Sequence, residues 1–153
     1  MWQKDVKEMK RTLHLPCGIV LNNKIQEVAQ LNEFVINVCA TVHINDEVTS
    51  YIGLAVEEAV VNVMSYAYPY GRKGKIDIRA YTTDGRLTFE ISDAGMPFDP
   101  TAAVPPDTTL STQERPIGGL GIYLIRKYMD HMDYKRVGDR NVLSLSKNLT
   151  NPL

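Results

Sequence analysis

The sequence contains few of the residues that build metal sites and disulfide frameworks. Its 153 residues include two cysteines and three histidines, and neither Cys17 nor Cys39 belongs to a C-x-x-C motif. We interpret both cysteines as reduced thiols, as is typical of cytosolic proteins. The formal net charge of −1 argues against broad attraction to nucleic acid or anionic membranes. There is no apolar run long enough to span a bilayer and no signal peptide, so we expect a cytoplasmic protein.

Hydrophobic residues make up 44% of the chain, which is enough to build the core of one domain over residues 1–153. Alternation of polar and apolar residues over positions 10–15 predicts a first strand, which Pro16 would end. Apolar residues at helical spacing predict one helix over residues 22–42 and a second that ends near Tyr68. Asn45 is suited to cap the second helix.

The pattern then changes to strand-like alternation. Asp84 and Gly85 separate two alternating segments, residues 75–82 and 86–92, which is a strong signal for a β-hairpin. After an irregular stretch, a third helix is predicted over about residues 122–130.

A closing hairpin is predicted from residues 132–137 and 141–147, with Leu143 and Leu145 facing the core. The order of elements predicts an α+β fold. It would be a two-layer sandwich of one mixed, mostly antiparallel sheet with three helices packed on one face.

Regular secondary structure is not expected over about residues 94–117. Five prolines fall in this stretch, with threonines, serines and aspartates between them. Such a segment inside a compact domain is often a lid or a binding loop, although it can also be a simple surface excursion. Because glycine clusters flank it on both sides, we favour a lid.

The second helix carries two polar residues in an otherwise apolar segment. Glu58 and Asn62 are four positions apart, so they share one face of the helix. A carboxylate beside a carboxamide can serve a metal-bound polar ligand. On its own, however, this pair is more often an ordinary Glu–Asn pair on a solvated helix face.

Two glycine-bearing segments follow. Asp93 ends a predicted strand, and its carboxylate could accept a hydrogen bond from an exocyclic amine. Gly95 follows it, and because glycine has no side chain, a flat ligand could approach the backbone closely there. The run Gly118-Gly119-Leu120-Gly121 precedes a predicted helix, where free backbone N–H groups favour an anion. It is neither a Walker A loop nor a complete dinucleotide fingerprint. Each segment alone is weak: the first could be a turn and the second a flexible start to a helix.

Taken in order, these features resemble the GHKL ATPase superfamily, whose ATP-binding Bergerat fold occurs in gyrase, Hsp90, MutL and histidine kinases. Glu58 and Asn62 resemble its N box, and the segments at Asp93 and Gly118 resemble its two glycine boxes. The finer match is to the anti-sigma-factor serine/threonine kinase branch. It is carried by the motifs Asp93-x-Gly-x-x-Phe-Asp-Pro100, Tyr66-Ala-Tyr68 and Ile-Arg-Lys-Tyr-Met-Asp130. Pro97 stands where the wider superfamily often has a second glycine.

The resemblance implies a role for each motif residue. Asn62 would ligate Mg²⁺, Glu58 would be the general base, and Asp93 would bind the adenine amine. The remaining expected roles are Gly95 beneath the base, Gly118, Gly119, Leu120 and Gly121 around the phosphates, Arg115 at the terminal phosphates, and Ser144 or Ser146 as a hydroxyl directed toward ATP. For Arg115, a solvated loop arginine is an equally good interpretation.

The implied activity is Mg-ATP-dependent phosphorylation of a serine or threonine on a small anti-sigma factor antagonist. In its other state the protein would hold a sigma factor or another regulator, with homodimerisation possible and no direct contact with nucleic acid or membrane. The alternative is an ATP-binding regulatory module of the same fold that acts by docking alone. A further alternative is an unrelated α+β protein in which Glu58 and Asn62 merely lie on a wet helix face.

Overall fold

The computed structural model describes residues 13–102 and 119–149, which form an antiparallel sheet covered on one face by α-helices. The strands are β1 (Cys17–Asn22), β2 (Lys75–Thr83), β3 (Arg86–Asp93), β4 (His131–Val137) and β5 (Arg140–Asn148). The α-helices are α1 (Val28–Thr41), α2 (Asp46–Asn62) and α3 (Gly119–Tyr128). A π-helical turn, Val63–Ala67, continues α2, and short 3-10 turns occur at Ile25–Glu27 and Pro100–Ala102.

The strands lie in the order β1-β2-β3-β5-β4, and every described pairing is antiparallel. The two predicted hairpins, β2–β3 and β4–β5, are therefore joined through β3 and β5. This pairing sets Asp93 opposite Asn141 at one end of the sheet. The predicted α+β sandwich is confirmed, but the described sheet is entirely antiparallel rather than mixed.

The core lies between α1, α2, α3 and one face of the sheet. Side chains on this face alternate along each strand and are fully or nearly fully buried: Ile76, Ile78 and Ala80 on β2, Leu87, Phe89 and Ile91 on β3, Leu143 and Leu145 on β5. Burying a side chain of this size contributes about 1.5–3 kcal/mol. The ring of Phe34 on α1 meets Phe89 edge-on, with centroids 6.5 Å apart, which locks α1 over the middle of the sheet.

The tight turns follow the predicted chemistry. Asp84 and Gly85 have φ angles of 51° and 73°, the left-handed values that a two-residue type I′ hairpin requires. At the start of α2 the Asn45 side chain accepts a hydrogen bond from the backbone N–H of Val48 at 2.8 Å. Both predictions are thus confirmed.

The first strand was predicted in the wrong place. Residues 13–15 are not in a strand, residues 10–12 lie outside the described part of the chain, and β1 comes after Pro16. Gly18 is an interior residue of β1. A β-carbon there would lie 2.9 Å from the Ile78 carbonyl oxygen, so a glycine allows this close approach.

The helix ends differ by a few residues from the prediction. α1 begins at Val28 rather than near residue 22, because a 3-10 turn precedes it. α3 begins at Gly119, so Gly119, Leu120 and Gly121 form its first turn rather than a loop before it. None of the helices in the described ranges has both the length and the apolar character needed to cross a bilayer.

Candidate functional site

The C-terminal half of α2 presents Glu58 and Asn62 toward the first turn of α3. Asn62 is buried, with 8% of its surface exposed, and Glu58 is half-buried. A β-carbon at Gly121 would lie 2.6 Å from Glu58 Oε2 and 3.6 Å from Asn62 Nδ2. The missing side chain at residue 121 therefore lets α3 begin directly against both polar groups.

The first turn of α3 is a helix N-terminus, a kind of place that favours anions in proteins. The N–H groups of the first residues of a helix have no acceptor within the helix, and the positive end of the helix dipole adds to their attraction. Gly121 has no β-carbon, so this backbone lies close to the Glu58 carboxylate. Gly118 and Arg115 lie outside the described residues, so their expected roles stay predictions.

Asp93, at the end of β3, is almost completely buried with 1% of its surface exposed. Its Oδ1 atom accepts hydrogen bonds from the backbone N–H of Gly95 and from Asn141 Nδ2, both at 2.9 Å. Its Oδ2 atom is buried and has no hydrogen-bond partner among the described residues. A buried carboxylate oxygen in this state is costly unless a donor reaches it.

The loop after Asp93 is built against the π-helical turn that ends α2. Met96 N–H donates to the Ala67 carbonyl at 2.8 Å, and a β-carbon on Gly95 would lie only 2.8 Å from the Ala67 carbonyl carbon. The sequence argument for Gly95 was close approach by a flat ligand. The structure shows that Gly95 is required by contact with Ala67.

Two aromatic residues of the same segment complete this contact. The phenol oxygen of Tyr68 accepts from Ala94 N–H at 3.1 Å and donates to the Lys75 carbonyl at 2.9 Å. Burial raises the pKa of Tyr68, so the phenol keeps the proton that it donates. The Tyr66 ring packs on Phe98 with centroids 5.1 Å apart. π-helical turns are frequent at functional sites, and this one fixes the position of the Asp93 loop.

A cavity lies between α2 and the ends of the central strands. The cavity is small, with room for about one water molecule. Binding pockets usually hold about 300–1,000 Å³, so a nucleotide would have to widen this cavity or lie at its mouth. The lining residues are Ala59, Asn62, Val63, Asp93, Phe98, Pro100, Tyr134, Asn141 and Leu143.

Two buried polar atoms that lack partners in the described part of the chain allow a test of ligand fit that is independent of the motifs. Among the described residues, two buried side-chain polar atoms have no partner, Asn62 Nδ2 and Asp93 Oδ2, and both residues line this cavity. The Asp93 oxygen needs a donor, such as an exocyclic amine. The amide of Asn62 can offer its nitrogen to a phosphate oxygen or, turned over, its oxygen to a cation.

No cluster of three or more His, Cys, Asp or Glu side chains that could hold a metal occurs in the described ranges. A cation at Asn62 would therefore depend on phosphate and water for most of its ligands. Mg²⁺ is commonly bound in this way, through one or two protein groups and the phosphates of the substrate.

The structure corrects one expectation and adds one residue. Ser144 and Ser146 alternate with the buried Leu143 and Leu145, so they point to the face of the sheet away from the cavity. There Ser146 Oγ lies 2.8 Å from Thr88 Oγ1. The polar residue of β5 in the cavity is Asn141, two positions before Leu143, which sequence reasoning missed. The alternation that placed Leu143 and Leu145 inward also places Asn141 inward.

The fold and the site together define a class: an α+β sandwich with a small cavity between the end of one helix and the ends of the central strands, beside a glycine-rich helix start. Residues 21–147 match the family described as the histidine kinase-like ATPase domain, and this chain belongs to that family.

Several curated proteins are similar to this chain. The serine/threonine-protein kinase BtrW of Bordetella bronchiseptica is 31% identical over 93 residues, which cover 61% of this chain and 66% of BtrW. The serine-protein kinase RsbW of Halalkalibacterium halodurans is 33% identical over 88 residues, covering 55% of this chain and 53% of RsbW. An anti-sigma F factor of Caldanaerobacter subterraneus is 32% identical over 94 residues, covering 60% of this chain and 64% of that protein. The match thus spans between about half and two thirds of these relatives.

Proposed function

We propose that this chain binds Mg-ATP and transfers the terminal phosphoryl group to a serine or threonine of a small anti-sigma factor antagonist. The observation that carries the proposal is the position of Asn62. Asn62 lines the same cavity as Asp93, and it lies with Glu58 against Gly121. One residue therefore connects a site suited to a base with a helix start suited to phosphates.

Each group would bind a different part of the nucleotide. Asp93 Oδ2 would accept a hydrogen bond from the adenine amine, which would satisfy the unpaired buried oxygen. The N–H groups of Gly119, Leu120 and Gly121 would hold the phosphates at the start of α3. The Asn62 amide oxygen would be the one protein ligand of Mg²⁺.

Glu58 would act as the general base. In the transfer step the substrate hydroxyl gives its proton to the Glu58 carboxylate as its oxygen bonds to the terminal phosphorus, and the bond from that phosphorus to ADP breaks. When bound, Mg²⁺ would supply neutralisation of the phosphate charges. Arg115 would add positive charge at the transferring group, as the family resemblance implies.

The names of the relatives support the partner. Two of them are named as serine or serine/threonine kinases and the third as an anti-sigma factor. We propose that this chain combines the two activities by phosphorylating an antagonist and, in the other state, holding a sigma factor or another regulator. Homodimerisation is part of the proposal, whereas direct nucleic acid or membrane binding is not.

The test compares Glu58→Gln with Glu57→Gln, because Glu57 is the neighbouring carboxylate on the same helix. Radiolabel transfer from ATP to a candidate antagonist should fall by about 10²–10⁴-fold in Glu58→Gln. It should be unchanged in Glu57→Gln. Affinity for Mg-ADP, measured by isothermal titration, should stay within about threefold of wild type in both variants, because binding does not use the base. Equal transfer by wild type and Glu58→Gln would overturn the mechanism.

Two binding variants test the remaining roles. Asn62→Ala should weaken Mg-ATP binding more than Mg-free binding, and Asp93→Asn should weaken both by about tenfold or more, since an amide replaces the acceptor of a charge-assisted hydrogen bond. Unchanged nucleotide affinity in Asp93→Asn would remove the adenine assignment.

Docking without phosphotransfer is the competing function. A pull-down with the purified chain in ADP and in ATP, followed by mass spectrometry, identifies both the partner and any phosphorylated residue. A phosphoserine or phosphothreonine found on the captured protein only with ATP supports the kinase. Capture without phosphorylation in either nucleotide supports the docking module.

A further inference from the structure

Asn141 is the first inward-facing residue of β5 and is paired directly with Asp93 on the neighbouring strand β3. It is buried, with 3% of its surface exposed. We propose that Asn141 is a positioning residue that holds the Asp93 carboxylate in the orientation which selects a 6-amino purine over a 6-oxo purine. This inference rests on the proposed nucleotide binding and identifies the residue responsible for base choice.

The hydrogen bonds of Asn141 fix the direction of its amide. Its Oδ1 atom accepts from the Tyr134 hydroxyl at 2.6 Å, from Phe98 N–H at 3.2 Å and from Arg136 Nη1 at 3.2 Å. Phe98 N–H and the guanidinium can only donate, so turning the amide over would set its NH₂ group against donors. The nitrogen of Asn141 must therefore face Asp93.

Both hydrogens of that nitrogen are used. Asn141 Nδ2 donates to Asp93 Oδ1 at 2.9 Å and to the Met96 carbonyl at 2.7 Å. With no donor left and three donors already on its oxygen, Asn141 has nothing to offer a ligand directly. Its effect on a ligand must pass through Asp93.

The effect on Asp93 is to divide the roles of its two oxygens. Oδ1 is satisfied by Asn141 and by Gly95 N–H, whereas Oδ2 is the atom without a partner among the described residues. Oδ2 is thus presented as a pure acceptor. A 6-amino group donates to such an atom, whereas a 6-oxo group is itself an acceptor and would leave two acceptors in contact.

Asn141 also attaches the loop after Asp93 to the sheet. Its contacts to Met96 and Phe98 hold residues on both sides of Pro97, and Arg136 adds a hydrogen bond to the Gly95 carbonyl at 3.0 Å. Asn141 therefore supports both the Asp93 carboxylate and the loop whose Gly95 N–H is the second hydrogen-bond donor to that carboxylate.

The experiment measures the affinities for Mg-ADP and Mg-IDP by isothermal titration. The variants are Asn141→Leu, which removes both donors at similar size, and Asn141→Thr, which keeps one donor. Asn148→Leu is the matched control, because it makes the same substitution at an exposed position at the end of β5. Asn141→Ala replaces the leucine variant if that variant does not fold.

Wild type and Asn148→Leu should prefer ADP by at least about tenfold. In Asn141→Leu the ratio should fall to within about twofold of unity, and in Asn141→Thr it should stay within about threefold of wild type. A general loss of folded protein lowers both affinities together and leaves their ratio unchanged, so the ratio reports positioning. Retention of the full ratio in Asn141→Leu overturns the inference while leaving nucleotide binding intact.

Hydrogen exchange in the absence of nucleotide gives an independent readout. The Gly95 and Phe98 amides should exchange at least about tenfold faster in Asn141→Leu than in Asn148→Leu, because their acceptors are displaced or removed. Unchanged exchange at both amides contradicts the proposed support. Failure of the wild type to bind ADP at all would instead overturn the proposed function.

Discussion

Substituting Gly95 by alanine tests whether the loop of the candidate site is built against the end of α2. The new β-carbon would lie 2.8 Å from both the carbonyl carbon and the β-carbon of Ala67. Carbon atoms in contact are normally about 3.5–4.0 Å apart, so the loop and the π-helical turn must separate by roughly 1 Å. Gly95 does not have a left-handed φ angle, so the cost arises from the approach to Ala67 and not from backbone strain.

The magnitude follows from two contributions. Overpacking of this kind costs about 1–3 kcal/mol. Separation also breaks the hydrogen bond from Met96 N–H to the Ala67 carbonyl, which is worth about 1 kcal/mol. Gly95→Ala should therefore reduce the free energy of unfolding by about 2–4 kcal/mol.

Gly53 provides the matched control. It lies inside α2, and a β-carbon there would meet nothing within 4 Å. Gly53→Ala should therefore stabilise the protein by about 0.5–1 kcal/mol through helix propensity. The same chemical change is thus expected to have opposite signs at two positions.

Urea unfolding followed by circular dichroism measures both variants, and an unchanged m-value shows that the midpoint reports stability. Because the Gly95 N–H also donates to Asp93 Oδ1, Gly95→Ala should weaken Mg-ADP binding as well. A Gly95→Ala protein within about 0.5 kcal/mol of wild type would refute the packing argument.

Three further predictions concern other residues. Asn45→Ala removes the acceptor of the Val48 N–H and should cost about 1 kcal/mol, or about 2–4 °C in melting temperature; an unchanged calorimetric Tm would contradict it. Burial raises the pKa of Cys39 to about 12, so the native thiol should resist alkylation at pH 8. The contribution of this buried thiol to the free energy of unfolding should be intact below about pH 9 and decline between pH 9 and 12, because the thiol ionises at a lower pH in the unfolded chain than in the native protein. Cys39→Ala should abolish that decline. Gly121→Ala should push Glu58 Oε2 aside and lower phosphotransfer by about 10²-fold with little change in Mg-ADP affinity. An equal loss of phosphotransfer and of Mg-ADP affinity would refute the assignment of Glu58 as the general base.

Local patterns predicted the parts of the fold that local chemistry decides. The Asp84–Gly85 hairpin needs only a two-residue turn with left-handed backbone, and the cap at Asn45 needs only the next three residues. The first strand was misplaced because its position is decided elsewhere. Residues 10–15 and 17–22 are both compatible with a strand, and pairing with β2 selects the second.

The residues of the candidate site divide in the same way, into those that local sequence patterns predict and those that depend on contacts distant in the sequence. Glu58, Asn62 and Asp93 could be chosen from spacing and resemblance. The structure places Asn62 beside Gly121 and in the cavity that Asp93 also lines. Asn141 was missed because a hydroxyl was sought on β5, which directed attention to Ser144 and Ser146 on the opposite face. The function of Gly95 could not be predicted either, because its neighbour Ala67 is distant in sequence and reaches it through a π-helical turn.

The pairing of Asp93 with Asn141 has a consequence for how this fold can vary in length. These two residues are 48 positions apart and joined by a hydrogen bond, so the segment between them starts and ends at neighbouring positions in the sheet. Even doubling the length of a flexible loop adds only about 0.6 kcal/mol of closure entropy. Insertions between positions 102 and 119 can therefore change the length of this stretch while both anchoring residues keep their places in the sheet. Lengthening or shortening this stretch would therefore leave the Asp93–Asn141 hydrogen bond untouched.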